Sequence, residues 1–486
     1  MSLSIVDAGR ALPHAEALLC DGERSSFSQL ATRVRARRGQ FEALGVRPLD
    51  PRPVALLVDG SQAMFECLYL CLELGVPFVP LNPRLTGPER THLISVTGAQ
   101  CTLDPSALGS VDPSRLSGAA LDWDLPVVPD AQPLAWVPSS GSTGRPKLVE
   151  LSRRAFLALC RADAERVPPQ PDDRALSCLP LSHVGGLSVV LRALSARRCC
   201  VAFRAGSGGL LASVSELAQC LVEERITLLS LVPALLTRLL REAPDIASQA
   251  PLRAILLGGQ ACSAELFARA RERALPVLTS YGLTETCSQV STLSFPPPAS
   301  VPAKQGVVGV GFPLPGVHVR VVRGLIEVRG PTLFSGYLGH PPPFDSDGFF
   351  NTGDRGEFDP ELGLFVFGRE SELIISGGEN VDPSEVEHAL IACEGVEAAM
   401  VFGVPDELFG ERVAVALELR AGADWDEPAL FAALDQRLAS FKQPRALCRF
   451  ETLPRLASGK LDRAQIRVQA MPQLRPVSRL ARTAKA

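Results

Sequence analysis

Short, fully apolar runs alternate along this chain with longer amphipathic ones, and that alternation restricts the fold more than any other feature. Val54–Val58 reads as a buried strand, Gln62–Leu74 as the helix after it, and Phe78–Leu81 as the next strand, ended by Asn82-Pro83. The order recurs downstream. Ile226–Leu231 predicts a strand, Pro233–Arg241 a helix, Ala254–Leu257 a strand closed by Gly258-Gly259, and Ala264–Ala274 a helix. Strands this short and uniformly apolar are buried on both faces, and β-α-β order covers those faces with helices. The fold class expected is α/β (α+β overall), with two parallel-type α/β subdomains in the N-terminal part.

From about Ser294 proline and glycine interrupt the pattern. Val317–Val322, Leu325–Val328 and Leu364–Phe367 then predict short strands of a β-rich subdomain over about residues 295–369. A fresh α/β pattern follows Arg369, with helices at Pro383–Ile391 and Glu427–Leu438 and strands at Ala398–Val404 and Val413–Leu419. The chain divides accordingly into 1–369 and a small C-terminal α/β domain, 370–486. No long linker separates the two, and a short joint between compact bodies behaves as a hinge. The basic tail after Arg463 is weakly patterned and is expected to fray.

Several function classes drop out. The net charge of −4 gives no electrostatic case for nucleic acid or an anionic membrane. The apolar stretch Val54 to Leu81 is broken by Asp59, Glu66 and Glu73, so no run reaches the ~18 residues of a membrane span. The start, MSLSIVDAGR, lacks the basic-then-apolar order of a signal peptide. None of the 13 cysteines forms a CxxC pair, which argues for reduced, buried thiols rather than zinc or disulfides. A cytoplasmic location is expected.

The most specific local signal is Ser139-Ser140-Gly141-Ser142-Thr143-Gly144-Arg145-Pro146-Lys147, placed after the apolar segment Leu134–Val137. The glycines admit backbone N–H groups close to an anion, the hydroxyls donate, and Lys147 adds charge. That suits nucleotide phosphates. It is not a Walker A loop, because Arg145-Pro146 intervene before the lysine and no Ser/Thr follows it.

SSGSTGRPKLVELS resembles the signature loop of the adenylate-forming superfamily, which includes acyl-CoA synthetases, nonribosomal peptide adenylation domains and firefly luciferase. Leu148 stands where the family usually has glycine. The resemblance spans nearly the whole chain, beginning with Gly75–Arg84. It implies roles for further residues. In Ser280-Tyr281-Gly282-Leu283-Thr284-Glu285-Thr286, Tyr281 would stack on adenine, Thr284 contact the α-phosphate and Glu285 help hold Mg2+, which prefers carboxylate and phosphate oxygens. Gly258 and Gly259 would admit backbone to the adenine edge. Asp354, from Asn351-Thr352-Gly353-Asp354, and Arg369 would hold the ribose hydroxyls.

The resemblance also implies two half-reactions. Leu453–Arg463 looks like the family's terminal motif, whose lysine, here Lys460, neutralises charge while the acyl-adenylate forms. The small domain would then turn about Ser371, and Ser376-Gly377-Gly378-Glu379-Asn380 would admit the pantetheine arm of coenzyme A. The acid pocket is expected near His183, Ser288 and Gln289. GLTETCSQVSTL and ELIISGGENV resemble the o-succinylbenzoate–CoA ligases of menaquinone biosynthesis. Ser182 and Gln260 depart from that pattern, so another aryl acid such as anthranilate or benzoate is the alternative substrate. A carrier protein is the alternative acceptor, a non-catalytic interaction protein the third class, and the sequence leaves oligomeric state open.

Overall fold

The computed structural model describes residues 1–109, 111, 121, 123–139, 147–206, 209–298, 300–376, 379–406, 410–456 and 459–477. Two large sheets carry the N-terminal part. One has nine strands in the order Phe312–Pro313, Ser291–Thr292, Val277–Tyr281, Ala254–Leu257, Leu228–Leu231, Arg174–Ser177, Cys199–Ala202, Glu16–Cys20, Glu23–Ser26. The other has six: Gly336–Tyr337, Lys147–Ser152, Pro133–Ser139, Phe78–Leu81, Val54–Leu57, Cys101–Leu103. Their central strands are parallel, as the apolar runs predict; pairing turns antiparallel at both edges of the nine-stranded sheet and at the Gly336–Tyr337 edge of the six-stranded one, whereas Cys101–Leu103 closes the other edge in parallel.

One continuous core joins the two sheets through the helices Gln62–Leu74, Arg153–Arg166 and Val184–Ala196. The helix Gln62–Leu74 starts at Ser61, whose hydroxyl accepts from the Met64 N–H at 3.2 Å, and stops at Gly75 in the left-handed region (φ 64). It is buried on every face, so its two acids are satisfied internally. Glu66 pairs with Arg37 at 2.6 Å and Arg33 at 2.8 Å. Glu73 accepts from the Ile5 and Val6 N–H groups at 2.5 and 3.2 Å and from Ser4 at 3.0 Å, capping the N-terminal helix Ile5–Ala11. Unpaired, such buried charges would cost several kcal/mol, on the order of the penalties known for lone interior ions. A second core covers the far face of the nine-stranded sheet beneath helices Val214–Glu223, Pro233–Glu242 and Ala264–Glu272.

The β-rich stretch forms a four-stranded antiparallel sheet, His318–Val322, Leu325–Arg329, Phe350–Asp359 and Gly363–Arg369. It is less self-contained than its sequence implies, since Phe312–Pro313 and Gly336–Tyr337 complete the edges of the two large sheets. The remaining sheet is C-terminal. Glu379–Val381, Ile374–Ser376, Gly410–Leu419, Ala446–Phe450 and Arg475–Pro476 follow one another, and Val396–Asp406 also pairs with Gly410–Leu419. A single 3-10 turn, Glu370–Glu372, lies between Arg369 and that sheet.

The expectation for the tail is corrected as far as residue 477; its last part, 478–486, lies outside the described residues. Asp462 accepts from the Gln465 N–H at 3.0 Å and starts a helix, Arg463–Ala470, whose Ile466 and Ala470 are buried. Arg475–Pro476 then adds an edge strand. Two apolar residues suffice here because the sheet supplies the rest of the buried face. All 13 cysteines are free thiols, and 11 of them are buried. No helix among the described residues is long and apolar enough to cross a membrane.

Candidate active site

The site gathers where strand ends of the nine-stranded sheet meet the four-stranded sheet and the C-terminal segment. Tyr281 ends the strand Val277–Tyr281 and is buried. Its hydroxyl donates to Asp354 Oδ2 at 2.7 Å, and Arg369 Nε lies 3.0 Å from Asp354 Oδ1. Asp354 and Arg369 face each other across the antiparallel pair Phe350–Asp359 and Gly363–Arg369. Burial pushes the Asp354 carboxyl above its usual range, against the pull of Arg369 and of the Tyr281 hydrogen bond.

The segment after Tyr281 is folded tightly back on itself. A β carbon on Gly282 would fall 1.2 Å from the Ser288 carbonyl oxygen, so only glycine fits. Thr284–Thr286 is one 3-10 turn. Cys287 (φ 55) and Ser288 (φ 110) follow in the left-handed region, where non-glycine residues are strained by roughly 1–3 kcal/mol each. Ser188 Oγ lies 3.4 Å from Ser288 Oγ. Gln289 is buried, donates to Thr292 Oγ1 at 3.1 Å, and leaves its Oε1 without a partner. Ser182 likewise has a buried, unpartnered hydroxyl, whereas Gln260 is exposed.

Lys460 reaches this site from the C-terminal segment. A β carbon on Gly259 (φ +82) would sit 3.0 Å from Lys460 Cε and 3.4 Å from its Nζ. Gly258 approaches the Ser280 carbonyl instead, at 3.2 Å by the same construction. Burial, then the positive charge of Arg369, push the Lys460 ammonium below its ordinary value, while Asp354 pulls the other way. Among the described residues Lys460 forms no ion pair. His183 precedes the helix Val184–Ala196 and is also largely enclosed. Burial, helped by the Lys460 charge, pushes its imidazole down to about 4, so it is neutral near pH 7.

Glu285 and Lys147 meet at a residue that sequence reasoning missed. The Tyr337 hydroxyl donates to Glu285 Oε1 at 2.8 Å, and Lys147 Nζ lies 4.8 Å from the Tyr337 ring centre. Ser139 donates to the Lys147 carbonyl at 3.2 Å across the hairpin that carries the Ser/Gly loop. Ser140, Gly141, Ser142, Thr143 and Gly144 lie outside the described residues, as do Gly377 and Gly378. Ser371 sits in the turn Glu370–Glu372. Thr284, Glu285, Tyr281, Asp354, Arg369, His183 and Lys460 are thus brought to one region by five separate stretches of chain.

The chemistry follows from charge. An enclosed ammonium that makes no ion pair among the described residues, close to a guanidinium, favours an anionic ligand. No cluster of three or more His, Cys, Asp or Glu suited to a metal occurs among the described residues. Glu285, with one oxygen held by Tyr337, fits a divalent cation that takes its other ligands from phosphate and water, the usual habit of Mg2+.

The AMP-binding enzyme family model matches residues 6–338, and that of the AMP-binding enzyme C-terminal domain matches residues 385–460. The chain is 31% identical over 473 residues to a 2-succinylbenzoate–CoA ligase of Bacillus licheniformis, covering 92% of this chain and 95% of that one. It is 32% identical over 487 residues to a feruloyl-CoA synthase of an Amycolatopsis species, covering 93% and 95%. Its structure resembles that of Bacillus subtilis o-succinylbenzoate CoA synthetase bound to its acyl-adenylate intermediate, with a TM-score of 0.83, 28% identity, and 96% and 98% of the two chains covered.

Proposed function

From the premise that this chain belongs to the AMP-binding enzyme family, we propose that it is an AMP-forming acid–thiol ligase that joins o-succinylbenzoate to coenzyme A at the expense of ATP. In the first half-reaction a carboxylate oxygen attacks the α-phosphorus, and pyrophosphate leaves with the bonding pair. In the second, the coenzyme A sulfur attacks the acyl carbon, AMP departs with its oxygen, and the thiol proton passes to solvent.

The enclosed, partly buried position of Lys460, with no ion-pair partner among the described residues, carries this reading. Its ammonium stands beside Gly259, Arg369 and Asp354, where charge builds on phosphate and carboxylate together. Placed beforehand, it stabilises that charge without proton transfer. Tyr281, Asp354 and Arg369 hold the nucleoside, Thr284 and Lys147 face its phosphates, and Glu285 would hold Mg2+, which would supply positive charge to the phosphates. His183, neutral and enclosed, lines the acid side with Ser288 and Gln289.

For the second half-reaction the segment from residue 370 turns about Ser371, withdrawing Lys460 and admitting the thiol past Gly377 and Gly378. Ion pairs between Arg355 and Asp382 (2.9 Å) and between Arg241 and Glu397 (3.4 Å) would have to break. The exposed Arg241–Glu397 pair is worth only about 0–1 kcal/mol, while the partly buried Arg355–Asp382 pair is the stronger restraint on the turn. The reading places the enzyme in the cytoplasm.

Acid-dependent ATP–pyrophosphate exchange tests the proposal. Exchange with o-succinylbenzoate supports it, and exchange confined to other aryl acids transfers the same chemistry to those. The similarity to a feruloyl-CoA synthase makes ferulate one of the panel, alongside benzoate and anthranilate. Supplying coenzyme A or a carrier protein identifies the acceptor. No exchange with any acid would refute it.

A further inference from the structure

Tyr337 stands between the two charged groups expected to face ATP, and nothing in its own neighbourhood of sequence explains why. The two-residue strand Gly336–Tyr337 pairs antiparallel with Lys147–Ser152, with Tyr337 opposite Val149. Backbone bonds close both ends of that pairing, Ser335 N to Glu150 O at 2.9 Å and Leu338 N to Leu148 O at 2.9 Å. Phe334 N donates to the Glu285 carbonyl at 2.8 Å, and the Phe334 ring packs edge-on against Tyr337 with centres 4.9 Å apart. The tyrosine is therefore fixed both to the strand leaving the Ser/Gly loop and to the turn bearing Glu285. Its hydroxyl reaches Glu285 Oε1 at 2.8 Å, and its ring takes Lys147 Nζ at 4.8 Å.

We infer that Tyr337 is a positioning residue for the adenylation half-reaction: its hydroxyl fixes the Glu285 carboxylate for a divalent cation while its ring holds Lys147 ready for phosphate. One oxygen of Glu285 is occupied by the phenol, which leaves the other free to meet the cation. The ring supplies a weak site for the ammonium until phosphate claims it. This rests on the reading of the site as an ATP site.

The test uses the full chain and the variants Tyr337→Phe and Tyr337→Leu. Calorimetric titration of ATP at a series of Mg2+ concentrations should show the Phe variant needing about tenfold more Mg2+ for the same affinity, the scale of losing a group that orients a metal ligand. The KM for the acid and the melting temperature should stay near wild type, and saturating Mg2+ should restore kcat. The Leu variant, lacking the ring as well, should also bind ATP less tightly when no metal is present. Coincident Mg2+ titrations for wild type and Phe would overturn the inference, even if the Leu variant failed to fold. If wild type itself bound no MgATP, the ATP-site reading would fall first.

Discussion

Tyr281 and Asp354, 73 residues apart in sequence, are joined by a 2.7 Å hydrogen bond inside the proposed nucleotide site. The residue expected against adenine and the residue expected under ribose thus act as one unit. Tyr281→Phe keeps the ring but leaves a buried carboxylate one donor short. Losing a hydrogen bond to a charged group costs about 1.5–3 kcal/mol. The variant should bind ATP roughly tenfold more weakly or worse, with the KM for the acid little changed. Calorimetry on the free protein checks this, and unchanged ATP affinity would mean that Asp354 does not depend on the phenol.

Gly259 offers a more local test. An added methyl would meet Lys460 Cε at 3.0 Å, on a backbone at φ +82. Alanine there costs about 1 kcal/mol in backbone strain, and the end of the lysine chain must move. Gly259→Ala should slow adenylate formation by about tenfold, since misplacing a preorganised charge forfeits much of its effect. Thioester formation from a supplied acyl-adenylate should change far less.

Much of this arrangement is legible in sequence, for identifiable reasons. Val54–Leu57, Phe78–Leu81 and Ala254–Leu257 are strands buried between helices, and their uniform apolarity says so. The helices at Gln62 and Pro383 begin at capping side chains, Ser61 and Asp382, that the sequence displays. Tyr281, Glu285, Asp354 and Lys460 stand in motifs that the sequence displays, and the structure brings them to one region. Tyr337 was hidden because its place depends on a two-residue strand and on a carboxylate 52 residues earlier. Glu66 and Glu73 interrupt an apolar run, yet both are interior, because partners far away in sequence satisfy them. The helix Arg463–Ala470 was hidden because Ile466 and Ala470 alone mark its buried face amid polar residues.

Glu73 makes stability depend on pH. Burial raises its carboxyl from an ordinary 4.5 to about 7, against the Val6, Ser4 and Ile5 hydrogen bonds. A raised value means the folded state favours the protonated form. Its contribution is complete below pH 4.5 and is lost as pH climbs through about 7. Wild type should therefore lose roughly 3 kcal/mol relative to Glu73→Gln between pH 4.5 and 8. Denaturant melts across that range check it, and parallel curves would contradict it.

Ser371→Pro addresses the joint. Ser371 lies in a 3-10 turn, and the φ that proline fixes falls in the ordinary range of such turns. The folded form should survive while rotation about the joint is restricted. Pyrophosphate exchange should remain near wild type and overall thioester production should fall several-fold. Loss of both together would place the defect elsewhere.

The account depends most on Lys460, which the C-terminal segment carries to Gly259. The direct test is Lys460→Ala assayed separately in the two half-reactions. Adenylate formation should fall by about 2.7–4 kcal/mol in barrier terms, or roughly 100- to 1,000-fold, while thioester formation from supplied acyl-adenylate and coenzyme A stays close to wild type. An equal loss in both half-reactions, or none in the first, would contradict it.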